Sequence, residues 1–246
     1  MLWIALVVGT WRTYRAARRT DIKPDYVIDV ALYGVLAGVL FAHLASIVLD
    51  LPYYLQNPRE ILGIWSSLLS SEGGLRGLSF HGGVIGGVGA VYLFARKKKI
   101  NFLALADLLS PGLAIAYAIA RIGCFLNGCC YGVPTTLPWG VRFCEDGVWT
   151  PPSHPTQIYA SLANVAIFGL LVMLEKRRRF TGQIFLSYLA MYSIYRFLNE
   201  FLRKGVTAEV WFWNLTQAQI VSLAILIVSA TILWLKLRKK PIETGK

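Results

Sequence analysis

Charge is sparse in this chain. Asp, Glu, Lys and Arg together make 15% of its 246 residues, and only 13 of those are acidic. A soluble domain carries about a quarter charged residues, so most of this chain is not built for a solvated surface. No internal repeat and no low-complexity stretch is present, which sets aside solenoids and linker-like proteins. Cysteine occurs four times, at 124, 129, 130 and 144, without a Cys-x-x-Cys pair. That spacing argues against a metal site. Met1–Trp11 has neither the basic leader nor the small-residue cleavage site of a signal peptide.

Apolar residues fill the space that charge leaves. They make 56% of the chain, with 8 Trp and 12 Tyr, and the mean hydropathy is +0.53. They come as runs and not as one-sided stripes: Tyr26–Leu49, Leu78–Ala95, Phe102–Leu126, Pro155–Leu174, Gln183–Asn199 and Asn214–Leu235. Each approaches the roughly 20 residues that a helix needs to cross hydrocarbon. Backbone groups in lipid must bond within their own segment, so helices are expected.

The formal net charge of +12 could suggest nucleic acid, but its placement argues otherwise. Basic clusters at Arg12–Lys23, Arg96–Lys99, Lys176–Arg179 and Lys236–Lys240 hold 17 of the 25 Lys and Arg. They occupy every second gap between apolar runs, which is the positive-inside pattern; a nucleic-acid surface would gather them on one face. The C-terminus is then cytoplasmic. The segments around 52–77, 127–154 and 200–213 lie outside. With Arg12–Lys23 inside, a crossing should precede it, yet Met1–Trp11 is too short to span. The expected fold is an all-α polytopic membrane protein of about seven transmembrane helices, the first truncated at its N-terminus, forming one integral-membrane domain over 1–246. Pro52–Gly77 is expected to lie along the membrane surface. Asn127–His154, with four prolines, is expected to form an irregular external arm.

Ionisable groups inside apolar runs are costly and usually face a cavity or a partner. His81, Arg121, Arg196 and Glu200 are such groups, and the topology puts all four near the outer end of their crossings. Tyr192, Arg196, Asn199, Glu200 and Arg203 follow three-and-four spacing and share one helical face. Each has a plainer reading. Arg196 and Glu200 could be a structural ion pair, Arg121 could snorkel to the interface, and His81 alone is more often a packing residue. A transporter or channel could share these residues, although their common depth does not trace a path through the membrane. A thiol-redox membrane enzyme would need the cysteines to cycle.

At these residues the chain resembles the prolipoprotein diacylglyceryl transferase family. Phe80-His81-Gly82-Gly83-Val84-Ile85-Gly86 is similar to its His-Gly-Gly segment. The stretch from Arg121 through Gly132, reading Arg-Ile-Gly-Cys-Phe-Leu-Asn-Gly-Cys-Cys-Tyr-Gly, resembles its signature. His154-Pro155-Thr156-Gln157-Ile158-Tyr159 and the stripe from Tyr192 to Arg203 match two further motifs. Cys124 stands where the family usually has asparagine, and Cys129 where it usually has an acidic residue.

The resemblance implies transfer of the sn-1,2-diacylglyceryl group of phosphatidylglycerol to the lipobox cysteine of a prolipoprotein. A thioether forms and glycerol phosphate leaves. It implies a bacterial cytoplasmic-membrane enzyme working near the outer leaflet, with no cofactor, no metal and no nucleic-acid partner. His81, Arg121 and Arg196 are the expected catalytic residues. Tyr192, Asn127, Gly132, Glu200, Arg203, His154, Gly82 and Gly83 are the expected substrate-binding residues. Gly132 is expected to allow a tight turn in the arm, and His154 and Tyr159 could simply anchor that arm. A disulfide from Cys144 to Cys129 or Cys130 is plausible outside the membrane. The two cysteine departures leave a non-catalytic lipid- or lipoprotein-binding relative as the alternative.

Overall fold

Each long apolar run becomes a helix whose bounds fall within three residues of those expected. The computed structural model describes residues 1–61, 79–145, 147–204, 210–212 and 214–238. Its helices are α1 (Leu2–Ala17), α2 (Asp25–Leu49), α3 (Leu51–Gln56), α4 (Phe80–Lys97), α5 (Phe102–Leu126), α6 (Thr156–Glu175), α7 (Gln183–Glu200) and α8 (Gln217–Arg238). A 3-10 turn covers Pro58–Ile61. Of the expected surface segment Pro52–Gly77, the part from residue 62 lies outside the described residues, as do 205–209 of the segment after α7.

Four of these helices, α2, α5, α6 and α8, are long and apolar enough to cross a membrane. On that measure the expected seven are not reached. Helices α4 and α7 have 18 residues each, with glycine in one and polar residues in the other, and α1 has 16. The outward side chains fit a lipid boundary. Leu32, Leu36, Leu40, Val48 and Leu49 on α2 are exposed, the last two by 74% and 75%. At about 25 cal/mol per Å² of apolar surface, a face of this kind is unfavourable in water and neutral in lipid.

The chain divides into two compact units, Thr20–Phe102 and Met1–Arg19 with Leu103–Lys246. In the first, α2 packs on α4 through missing side chains. A Cβ on Gly82 would lie 2.4 Å from the Phe41 carbonyl oxygen, and one on Gly86 would lie 2.5 Å from that of Ala37. Small residues let helices approach closely where no hydrophobic drive exists between them. A cavity of about 480 Å³ opens between these helices, lined by Asp29, Tyr33, Leu40, Phe94 and Lys97 among others. It holds none of the expected site residues.

The second unit is held by polar side chains. Helix α1 meets α5 at Gly9 and Gly112, where a Cβ on either would lie 2.8 Å from the other's carbonyl oxygen. Arg12 pairs with Glu175 at the end of α6. Buried Asp107 on α5 accepts the backbone N–H groups of Gly182 (2.6 Å) and Phe185 (2.8 Å), so its carboxyl group satisfies the start of α7 from another helix. Thr216 and Gln219 exchange side-chain bonds with each other's N–H and cap α8 reciprocally. Ala114, Ile167, Leu171 and Ile184 form the apolar centre between.

The arm after α5 is irregular, as expected, with one short hairpin of β1 (Cys144–Glu145) and β2 (Val148–Trp149). It bonds back on itself and onto the chain just after α7. Gly132 N–H donates to His154 O (2.8 Å), Val133 N–H to Leu202 O (2.9 Å), and Gly132 bridges Arg203. A second small pair, β3 (Val210–Phe212) with β4 (Leu215–Thr216), precedes α8.

Candidate functional site

Helices α5 and α7 bring the arginines of the sequence reading into one unit, and a tyrosine cluster joins them. One turn before Arg121, the Tyr117 hydroxyl accepts from its Nε (2.8 Å) and an Nη (2.5 Å). The guanidinium also lies 4.8 Å from the Tyr117 ring centre, a cation–π distance. On α7, the Tyr192 ring meets Tyr117 edge-on at 5.5 Å, and its hydroxyl donates to that of Tyr117 at 3.5 Å. Tyr188 and Tyr195 flank Tyr192. Tyr195 interacts electrostatically with both Arg121 and Arg196.

Arg196 pairs with Glu200 one turn later, as the plainer reading proposed. Their side chains are only 14% and 0% exposed. Glu200 also accepts from the Thr216 hydroxyl (3.3 Å) and faces Arg203 Nε at 3.9 Å. That Nε has no hydrogen-bond partner, and neither does the buried Asn199 Oδ1. Two guanidiniums, those of Arg196 and Arg203, thus share one carboxylate, leaving a net positive site with unfilled hydrogen-bonding capacity. An arginine fork of this kind grips phosphate or carboxylate in two places.

The other expected residues fall in different surroundings. His81, in the first turn of α4, is exposed and belongs to the other unit, as do Gly82 and Gly83. Gly82 is filled against α2, so its lack of a side chain serves helix packing. Asn127 is exposed just past the end of α5. Gly132 does not make the expected turn. Its backbone is extended, and a Cβ there would lie 2.2 Å from the Leu202 carbonyl oxygen, so close strand approach is what excludes a side chain. The turn belongs to Gly128 and Cys130, both at φ +69°. His154 and Tyr159 do anchor the arm: Tyr159 OH lies 3.3 Å from His154 Nδ1 and accepts Trp139 Nε1–H at 2.8 Å.

The expected disulfide is absent, and all four cysteines are free. Cys144 is exposed in the hairpin, while the Cys129 and Cys130 sulfurs turn toward Cys124. The Cys130 thiol, itself exposed, is pushed up by its hydrogen bond to Cys124. In the arm, Tyr131 donates to Glu145 (2.6 Å), and that bond raises its phenol above the usual value.

Sequence reasoning passed over three groups. Tyr117 carried a signal, since it sits one turn before Arg121 in an apolar run. Asp107 carried one too, as a lone carboxyl within such a run. His43, buried on α2 with Nε2 2.9 Å from the Ile61 carbonyl oxygen and Nδ1 unpartnered, was equally visible as an intramembrane histidine.

Fold and site together define an α-helical membrane protein with a cluster of arginines held by tyrosines and one buried carboxylate. The chain belongs to the prolipoprotein diacylglyceryl transferase family, whose model matches residues 1–235. It is 37% identical over 218 residues to the phosphatidylglycerol–prolipoprotein diacylglyceryl transferase of Clostridioides difficile, covering 89% of this chain and 81% of that one. It is 33% identical to the protein of the same name from Finegoldia magna, over 100% and 92% of the two chains. The Nostoc relative of that name is also 33% identical, over 97% and 84%.

Proposed function

We propose that this transferase moves the sn-1,2-diacylglyceryl group of phosphatidylglycerol onto the thiol of the lipobox cysteine of prolipoproteins. A carbon–sulfur thioether bond forms, the bond from that glyceryl carbon to the phosphate oxygen breaks, and glycerol phosphate leaves. The protein works in the bacterial inner membrane as one integral-membrane domain. Seven crossings, a cytoplasmic C-terminus and a site near the outer leaflet are the arrangement that fits the charge pattern.

The observation that carries this reading is the arginine group at the ends of α5 and α7. The leaving phosphate gains negative charge in the transition state, and fixed cations aimed at that charge lower the barrier. Arg196 and Arg121 supply them. Glu200 and Tyr117 hold each guanidinium in place, so little reorganisation is needed when the phosphate arrives. Arg203, with its free Nε, adds a third donor. The attacking thiol, with a free pKa near about 8.5, needs a base or an orienting partner at neutral pH. His81 takes that role. Tyr192, Asn127, Glu200, Arg203, His154 and Gly83 bind substrate or shape the space for it.

The test is direct. Detergent-purified protein is incubated with phosphatidylglycerol and a lipobox peptide, and the peptide is weighed. A gain of one diacylglyceryl group, lost in His81→Ala and in Arg196→Ala, is the expected result. An unchanged peptide mass with folded, lipid-bound protein would leave a binding relative without transfer activity.

A further inference from the structure

The signature stretch places three thiols together in a way its spacing conceals. Cys124 lies in the last turn of α5, and Cys129 and Cys130 follow a reversal at Gly128. The three sulfur atoms lie within 4.8 Å of one another, and those of Cys129 and Cys130 are 3.1 Å apart. A tetrahedral zinc with Zn–S bonds of about 2.3 Å holds its sulfurs about 3.8 Å apart. The observed spacings bracket that value, so ion binding needs only small side-chain adjustments.

The backbone around the thiols is held from several sides. Cys129 N–H donates to the Cys124 carbonyl at 3.2 Å. Buried Gln157 donates to the Cys129 carbonyl at 2.6 Å, and buried Thr156 to that of Cys130 at 2.9 Å. Cys130 sits at φ +69°, a conformation that costs free energy in a residue with a side chain. Such strain persists only where the surroundings impose it, and it concentrates at functional positions.

We propose that Cys124, Cys129 and Cys130 form a three-thiolate binding site for a zinc ion beside Arg121. The group contains sulfur alone, without carboxylate or imidazole, which selects a thiophilic ion over magnesium or calcium. On binding, each thiol loses its proton to solvent and three Zn–S bonds form, with no change in oxidation state. Two positive charges on the ion against three thiolates leave one negative charge. The Arg121 guanidinium, which lies against the Cys124 thiol, offsets it. Three protein ligands leave the fourth tetrahedral position open to water, the pattern of a zinc site that takes an exchangeable ligand. Cys144, exposed in the hairpin, is not a member.

The experiment uses the full chain, purified in detergent under reducing conditions, loaded with zinc and dialysed. Elemental analysis should find about one zinc per chain in the parent and in Cys144→Ser. The Cys124→Ser/Cys129→Ser/Cys130→Ser variant should fall at least tenfold. Cobalt loaded into the parent should give sulfur-to-metal charge-transfer absorption and visible bands of tetrahedral coordination, a readout that needs no variant. Zinc content in the parent no higher than in the triple variant would overturn the site. So would a cobalt spectrum without sulfur ligation, or a disulfide among these three residues in the parent kept reduced throughout.

Discussion

The α2–α4 pair and the α5–α7 pair meet the same difficulty by opposite means. Neither gains from the hydrophobic effect between helices, because lipid tails are as apolar as leucine. The α2–α4 interface removes atoms, so that Gly82 and Gly86 admit the backbone of the facing helix. The α5–α7 interface adds polar atoms: Asp107 at one end, and Tyr117, Arg121 and Tyr192 at the other. An interface made by subtraction tolerates no added atom. One made by polar pairing tolerates no lost partner. The second kind can also do chemistry, since it already holds charge in a fixed place.

Substitutions can break or sharpen that contrast. The largest effect is expected in the polar pair, at its chemistry. Arg196→Ala should lower diacylglyceryl transfer to the peptide about 10²- to 10³-fold, the usual cost of losing one charge-stabilising donor. Arg196→Lys should recover only part of it, because a point charge lacks the fork. Full turnover in the lysine variant would remove two-point phosphate contact from the mechanism.

Next comes the subtractive pair. Gly82→Ala or Gly86→Ala should destabilise by about 3 kcal/mol, at the upper end for overpacking, seen as a lower thermal midpoint in detergent. An unchanged midpoint would mean that the close contact with α2 is not what holds these helices.

Asp107→Ala should follow, at about 2 kcal/mol for two backbone N–H groups left without acceptors. Asp107→Asn keeps one acceptor and should lose less. Equal losses in the two would show that packing, and not the cap, explains the residue.

Tyr131→Phe, in the arm, tests a smaller polar contact of about 1 kcal/mol. Its folded phenol is raised above the unfolded value. The contribution is therefore complete below the unfolded pKa of about 10, and it is lost as pH rises through the higher folded value. Parent and variant midpoints should differ at pH 8 and converge at strongly alkaline pH. A constant gap would assign the effect to the ring, which stacks on Phe143 at 4.7 Å.

The smallest effect has the opposite sign. Nothing lies within 4 Å of a Cβ on Gly89. Gly89→Ala should stabilise α4 by up to about 1 kcal/mol through helix propensity, in contrast to Gly86 three residues earlier.

Much of the molecule was legible because lipid imposes few solutions. The run Phe102–Leu126 is a helix with those bounds, and the others shift by three residues at most. Arg196 and Glu200 were legible as a pair because helical spacing alone brings them together. Gly132 was misread because a glycine in a proline-rich segment suggests a turn, whereas its need is set by a carbonyl from residue 202, seventy positions away. The disulfide reading failed for a related reason. It rested on a shared compartment, and compartment does not fix which way a sulfur points.

The sequence by itself determined that this is a helical membrane protein, which family it belongs to, and which ionisable residues the apolar runs carry. Those properties are local or periodic, and the energetics of burying charge or an unpaired backbone group in lipid enforce them at each position. Only the tertiary structure decided what the residues meet: that Asp107 caps α7, that Tyr117 holds Arg121, and that three cysteines without a paired spacing converge on one point. Contacts between distant segments depend on side-chain direction and on helix approach to a fraction of an ångström, and neither is encoded in spacing along the chain.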